Sequence, residues 1–369
     1  MPEDGARPPF RADHVGSLLR PRALIEAFKA HREGRLDAAG FVQAQDAAIR
    51  EAVAMQEEVG LRSITDGEFR RPSYWARFVE RVDGLEVREA RFAFHDDAGH
   101  SHAFTVPFVA APLRRSRSIA GDEYAFLRRV VRKTPKVTLP SPPTMHFWRL
   151  NEAISPDAYD TCEACFDDLA QVYAQEIAAL ASDGATYVQI DDVPLAMLCD
   201  PAIRARVVGA GLDPEALTDA YIDLFNAAVG SRPEGVTLAV HLCRGNYKAQ
   251  FLSEGGYEPI AEKFFGRLRA DAFFLEYDTD RAGGFGPLRF VPPGKTAVLG
   301  LVSSKTPVLE DPEALCRRIE QARRYLPLEQ LALSPQCGFA STVAGNPLRQ
   351  DDQRRKLALV VEVAARVWG

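Results

Sequence analysis

A chain of 369 residues with 46% hydrophobic and 26% charged side chains has the make-up of a folded globular protein, which excludes disorder and fibrous repeats. At this length the core holds together without disulfides or a structural metal, so a metal found here would serve function. The 45 basic and 51 acidic residues leave a net charge of -6 with no long run of either sign, which argues against nucleic acid as a partner.

The opening MPEDGARPPF lacks the basic and apolar regions of a secretion signal, and no stretch reaches the ~18 apolar residues of a membrane span. A cytoplasmic protein without a membrane partner is therefore expected, with its six cysteines as reduced thiols. The first predicted strand covers residues 12–17, Ala-Asp-His-Val-Gly-Ser. A helix with Ile49, Val53 and Val59 inward runs to Gly60, and Ser63-Ile64-Thr65-Asp66 forms the second strand. Residues 70–135 depart from the pattern; the part with His95, His100 and His102 reads as a hairpin or lid whose histidines are solvated.

From residue 136 onward, short apolar or β-branched runs alternate with helices. The strands are predicted at 136–139, 187–190, 236–240, 272–275, 297–302 and 331–333, each with the continuous apolar character of a buried parallel strand. Between the first two lies a helix with Phe166, Leu169, Tyr173, Ile177 and Leu180 on one stripe, stopped by Gly184. Later helices start at Asp213-Pro214, with Leu217, Tyr221 and Leu224 inward, and at Asp311-Pro312, each an N-cap followed by proline at the first helical position. Eight strand-helix units without a G-x-G-x-x-G fingerprint predict an α/β fold: a (β/α)8 TIM barrel over residues 1–369 as one catalytic domain, with 70–135 inserted after strand two.

Barrel enzymes carry their chemistry at the C-terminal strand ends. Here those ends read His14-Val15-Gly16-Ser17, Asp66-Gly67-Glu68, Thr144-Met145-His146, Asp191-Asp192, His241-Leu242-Cys243, Glu276-Tyr277-Asp278, Ser303-Ser304-Lys305 and Gln336-Cys337-Gly338. Side chains two apart in a strand point the same way, so His241 and Cys243 can grip one ion, with Glu276 and Cys337 arriving from other strands. Two thiolates and a carboxylate on Zn²⁺ leave about -1 with a neutral imidazole, a centre poor at acidifying water but suited to a bound thiolate nucleophile. Glu276 is then the ligand an incoming thiol displaces, because the exchange conserves charge. The same residues also suit a packed core: His-x-Cys in a strand and a buried cysteine after one are common without a metal, so spacing alone leaves both readings open. Cys162 and Cys165 form a C-x-x-C on a helix with no second pair and read as structural; Cys199 and Cys316 read as packing.

Taken in order, His14-Val15-Gly16-Ser17, Asp66-Gly67-Glu68, Thr144-Met145-x-x-Trp148, Gln189-Ile190-Asp191-Asp192-x-Pro194, His241-x-Cys243, Glu276 and Gln336-Cys337-Gly338 cover nearly the whole chain, and the sequence resembles the cobalamin-independent methionine synthase family in its C-terminal catalytic barrel, as a short, single-barrel form. The resemblance implies zinc held by His241, Cys243, Cys337 and Glu276, with Glu276 yielding to the thiol of homocysteine. It implies Glu68 and Asp191 on the substrate ammonium, Gly16 and Ser17 on its carboxylate, and Trp148 against the pterin ring of the donor. Two departures bear on the donor. The chain has no room for the second barrel of the long enzymes, and it reads Ser303-Ser304-Lys305-Thr306-Pro307 where those have D-x-H-S-P.

The activity expected is zinc-dependent methyl transfer to a zinc-bound thiol, homocysteine to methionine or a similar pair. The donor is 5-methyltetrahydrofolate or a methyl-corrinoid such as methylcobalamin, the latter brought by a corrinoid protein. His146 and Lys305 are the candidates for protonating the leaving nitrogen. An alternative keeps the zinc and alkylates coenzyme M or another thiol with an epoxide; it predicts that Arg20, Arg70 or Arg71 clamps the sulfonate. A zinc-storing or sensing barrel leaves the polar strand ends without a purpose, and metal-free decarboxylation of uroporphyrinogen type leaves His241 and Cys243 without one.

Overall fold

The apolar runs between residues 136 and 335 cannot face water on either side, and in the computed structural model they lie side by side as one parallel sheet. It describes residues 7–90, 94–95, 101–102 and 104–369, with 94–95 and 101–102 described by backbone alone. The strands are β1 (Ser63–Ile64), β2 (Asp83–Glu89), β3 (Phe94–His95), β4 (Ser101–His102), β5 (Thr105–Arg114), β6 (Thr134–Pro135), β7 (Val137–Pro140), β8 (Tyr187–Asp192), β9 (Thr237–Leu242), β10 (Ala272–Glu276), β11 (Thr296–Val302) and β12 (Leu331–Pro335). Strands β7 to β12 pair in sequence order, every pair parallel. β1 pairs with β6 in parallel, and the Lys136 amide donating to the Ile64 carbonyl at 2.8 Å carries that pairing toward β7.

Residues 12–17, predicted as a full strand, make one parallel bridge, Ala12 to Leu333. Toward β1 the ladder is replaced by side chains: Ser63 Oγ donates to Asp13 Oδ1 at 2.6 Å and Thr65 Oγ1 donates to the Gly16 carbonyl at 2.6 Å. Gly16 at φ 142° turns this segment off the extended path. The predicted strand end at Thr144-Met145-His146 is also corrected. β7 stops at Pro140, and Thr144–Phe147 is a helical turn, because Pro142 and Pro143 cannot extend a ladder.

Two apolar layers hold the sheet. Its inner side packs Val15, Tyr187, Ala239, Phe274, Val298 and Ala332 together, small against large, and its outer side packs against the helices. Asp200, Asp213 and Asp311 each cap a helix by accepting a backbone N–H and each is followed by proline. Thr161 caps the long helix Cys162–Ser182, whose exit bends at Gly184 with φ 98°. The stretch after β1 holds a helix Ala76–Arg81, the antiparallel pair β2–β5 and a helix Gly121–Val130. Among the described residues no helix is long and apolar enough to cross a membrane.

Candidate active site

Because all six strands of the main sheet are parallel, their C-terminal ends share one edge, and the soft ligands gather there. His241 lies in β9 with Cys243 just beyond it, Glu276 ends β10, and Cys337 follows β12. Their ligand atoms all lie within 4.8 Å of one another and all four residues are buried. The Cys243 and Cys337 sulfurs are 3.4 Å apart. Glu276 Oε1 accepts the Arg244 amide at 2.7 Å, while Oε2 is buried without a hydrogen bond. Neither ring nitrogen of His241 makes a hydrogen bond of normal geometry, although the Cys337 sulfur is near enough to matter electrostatically.

Burial alone would depress the His241 pKa; Cys337, Asp191 and Glu276 outweigh it and hold it above the ordinary value. The Cys243 and Cys337 thiols lie close enough to act on each other. Hydrogen bonding between them is the largest influence on both, pushing Cys243 well up and Cys337 well down. Buried donors without partners are rare unless something binds them. Tetrahedral zinc, with bonds of about 2.0–2.3 Å, sets its ligand atoms roughly 3.3–3.8 Å apart. The donor types and their burial fit zinc, and the 3.4 Å between the two sulfurs falls within that range.

Above this group opens a cavity of about 760 Å³, lined among others by Ser17, Glu68, Asp191, Trp148, His241 and Cys243. Glu68 has φ 60°, an uncommon backbone for a residue with a side chain. Its Oε1 accepts from Thr138 Oγ1 at 2.8 Å, its Oε2 is buried without a hydrogen bond, and burial raises its pKa against the pull of Arg71. Asp191 Oδ1 accepts from Gln189 Nε2 at 2.7 Å, and burial, aided by Glu68, lifts its pKa to about 7. Two half-satisfied acids on one wall make a site for a cation. Two glycines let the wall close: a Cβ on Gly16 would sit 2.8 Å from Thr138 Cγ2, and one on Gly338 would sit 1.9 Å from Ser17 Oγ.

Trp148 faces the cavity with its ring edge-on to Phe104 and Phe147 at 5.4 and 5.5 Å. Lys305 Nζ donates to the Gly245 carbonyl at 3.3 Å, and its charge helps to lower Cys337. His146 is not brought to this group. It lines a second cavity of about 510 Å³, its Nδ1 is 2.8 Å from the Tyr221 hydroxyl, and burial holds its pKa down at about 4. The three arginines expected to clamp a sulfonate are turned elsewhere. Arg20 donates to four backbone carbonyls, Arg71 grips Glu123, and Arg70 pairs with Asp46, each bond a better use of a buried guanidinium than an empty cavity. Cys199 is core, Cys162 and Cys165 open the helix Cys162–Ser182, and the side chains of His95 and His102, with all of His100, lie outside the described residues.

Sequence reasoning missed Tyr74, Asn246 and Thr138, and named Gln189 within a matching segment without giving it a role. Tyr74 and Asn246 line the cavity. Asn246 Nδ2 donates to the Gly338 carbonyl at 2.8 Å and the Tyr74 amide donates to the Ser341 carbonyl at 3.0 Å, so both tie loops across the mouth. Nothing in local spacing marks them; Asn246, three residues past Cys243, could have been found by reading beyond the strand end.

Residues 11–366 match the family model described as the catalytic domain of cobalamin-independent synthase. The chain is 39% identical over 370 residues to the uncharacterized protein YxjH of Bacillus subtilis, covering 99% of this chain and 97% of that one. It is 25% identical to a methionine synthase of Sulfolobus acidocaldarius over 88% of this chain and 84% of that one. Among solved structures, the putative vitamin-B12 independent methionine synthase from Listeria monocytogenes superposes with a TM-score of 0.78 at 34% identity, covering 98% of both chains. The chain therefore belongs to the cobalamin-independent methionine synthase family of methyltransferases, whose catalytic domain it matches along nearly its whole length.

Proposed function

We propose that this protein is a zinc-dependent S-methyltransferase of the cytoplasm, built on a closed (β/α)8 barrel, that methylates homocysteine or a closely similar amino-acid thiol. The observation that carries the reading is the juxtaposition, in one cavity, of the His241, Cys243, Glu276 and Cys337 group with the two open carboxylates Glu68 and Asp191. His241, Cys243 and Cys337 would hold the ion throughout and Glu276 would give way to the substrate. Bound there, zinc supplies a thiol that is deprotonated at neutral pH and still nucleophilic.

The remaining work belongs to the chain's own residues. Glu68 and Asp191 receive the substrate ammonium, a charge that offsets the burial which keeps their pKa values high. Ser17 and the backbone N–H groups beside Gly16 take its carboxylate. Trp148 offers an apolar face to a flat donor, and the apolar mouth excludes water while thiol and methyl are held in line. A folate donor needs a proton on its leaving nitrogen; Lys305, bonded to the carbonyl of the cavity residue Gly245 and close enough to act electrostatically on Cys337, is better placed to give it than the neutral His146 in the other cavity. The donor is 5-methyltetrahydrofolate or a methyl-corrinoid delivered by a corrinoid protein. The epoxide and coenzyme M alternative is disfavoured because the guanidinium groups of Arg20, Arg70 and Arg71 are already bonded to protein groups rather than free to clamp a sulfonate.

Zinc analysis tests the metal. Wild type is expected to hold one equivalent, with Cys337→Ser losing most of it; a zinc-free wild type, or an unimpaired Cys337→Ser enzyme, overturns the reading. Single-turnover assays of homocysteine with 5-methyltetrahydrofolate as mono- and polyglutamate, with methylcobalamin and with a simple epoxide then identify the donor.

A further inference from the structure

The two cavity carboxylates are held by the same device. Lys136, fully buried inside the sheet, donates to Asp13 Oδ1 at 2.9 Å, to the His14 carbonyl and to Gln189 Oε1 at 3.1 Å. An ammonium only donates, so the carboxamide oxygen of Gln189 must face it. The two amide hydrogens then go to the Val15 carbonyl at 2.5 Å and to Asp191 Oδ1 at 2.7 Å. On the other side Arg71, gripped by Glu123, donates to Thr138 Oγ1 at 2.9 Å. A guanidinium also only donates, so the single hydroxyl hydrogen of Thr138 must go to Glu68 Oε1, 2.8 Å away. Thr138 and Gln189 are direct partners in the register of β7 and β8.

We propose that Thr138 and Gln189 are a matched pair of positioning residues. Each takes its orientation from a buried cation and directs one neutral donor at a carboxylate, so that Glu68 and Asp191 each turn a second, open oxygen to a primary ammonium in the cavity. The cations spend their hydrogen bonds elsewhere: Lys136 pairs with Asp13, and Arg71 bonds Glu123 and Thr138 while forming only a longer ion pair, 3.7 Å, with Glu68 Oε1. Direct contact would neutralise the two acids and leave nothing for a substrate cation. Held by neutral donors, each acid is oriented and keeps its second oxygen for the substrate. The pair thus sets specificity for a thiol bearing an α-ammonium group, an assignment that rests on the reading of Glu68 and Asp191 as the ammonium site.

Calorimetric titration of the zinc-loaded enzyme with homocysteine and with 4-sulfanylbutanoate, which differs only in lacking the amino group, tests this. Wild type should prefer homocysteine. Thr138→Val and Gln189→Leu should weaken homocysteine roughly 10- to 100-fold, the range of hydrogen bonds to charged groups, and leave 4-sulfanylbutanoate within about threefold. Thr138→Ser, which keeps the hydroxyl, should retain the preference. Should Gln189→Leu fail to fold, the Thr138 pair of variants decides alone. Thr138→Val with an undiminished preference overturns the proposal, as does an equal loss of both thiols in Thr138→Val and Thr138→Ser. A wild type without any preference overturns the ammonium site itself, a result distinct from either.

Discussion

At the scale of single residues, the wall of the cavity depends on what is missing as much as on what is present. Gly338 has no Cβ, and the space one would fill is held by the Ser17 hydroxyl at 1.9 Å. Gly338→Ala should therefore displace Ser17 and lower stability by about 1–3 kcal/mol, with a loss of substrate affinity. Adding Ser17→Gly should restore stability, because the clash is with that side chain; thermal melts of the two single variants and the double variant check this, and additive losses would refute it. That His241, Cys243, Glu276 and Cys337 gather at one sheet edge was legible in the sequence, since each stands at or just past a predicted strand end. The parts played by Thr138 and Gln189 were not. A threonine and a glutamine inside strands look like ordinary pattern breaks until the donor directions of Arg71 and Lys136 are known.

Among the elements, the alternation of buried strands and capped helices was readable because parallel strands are apolar on both faces and Asp-Pro marks helix starts without ambiguity. What could not be read was where side chains stand in for the ladder. The 12–17 segment is held by Ser63 and Thr65, and the loops after β1 and β12 are held by Arg20. The Arg20 guanidinium, almost fully buried, donates to the carbonyls of Glu68, Arg71, Ala340 and Thr342 at 3.0, 2.6, 3.3 and 2.9 Å. These two loops carry Glu68 and lie against Gly338, so one side chain stitches the side of the cavity that bears Glu68 to the side that bears Cys337. Arg20→Leu leaves four carbonyls without that donor and should cost about 3 kcal/mol or more. Amide hydrogen exchange should rise in 66–72 and 338–342 and leave β8 to β10 unchanged; uniform protection loss, or none, would contradict the stitch.

For the molecule as a whole, burying neutral imidazoles makes stability depend on pH in a direction that can be worked out. Burial and the neighbouring Lys136 ammonium press the His14 pKa down to about 3, and burial alone holds His146 at about 4. Unfolded histidine titrates near 6.5, so below that pH the unfolded chain takes up protons that the native chain refuses, and native stability falls as pH falls. The loss starts near pH 6.5 and for His146 ends near pH 4, where the native imidazole also charges. Buried carboxylates such as Asp192, lifted to about 6 by burial, pull the opposite way, and zinc would leave as its ligands protonate. A comparison of wild type with His146→Gln removes both complications, because they are common to the two proteins and His146 lies in a cavity apart from the metal group. Between pH 7.5 and pH 5 wild type should lose about 2 kcal/mol relative to the variant in denaturant unfolding, with the two parallel above pH 7. Parallel curves down to pH 5 would mean that His146 reaches water in the native state, and that the second cavity is open to protons rather than sealed around a neutral ring.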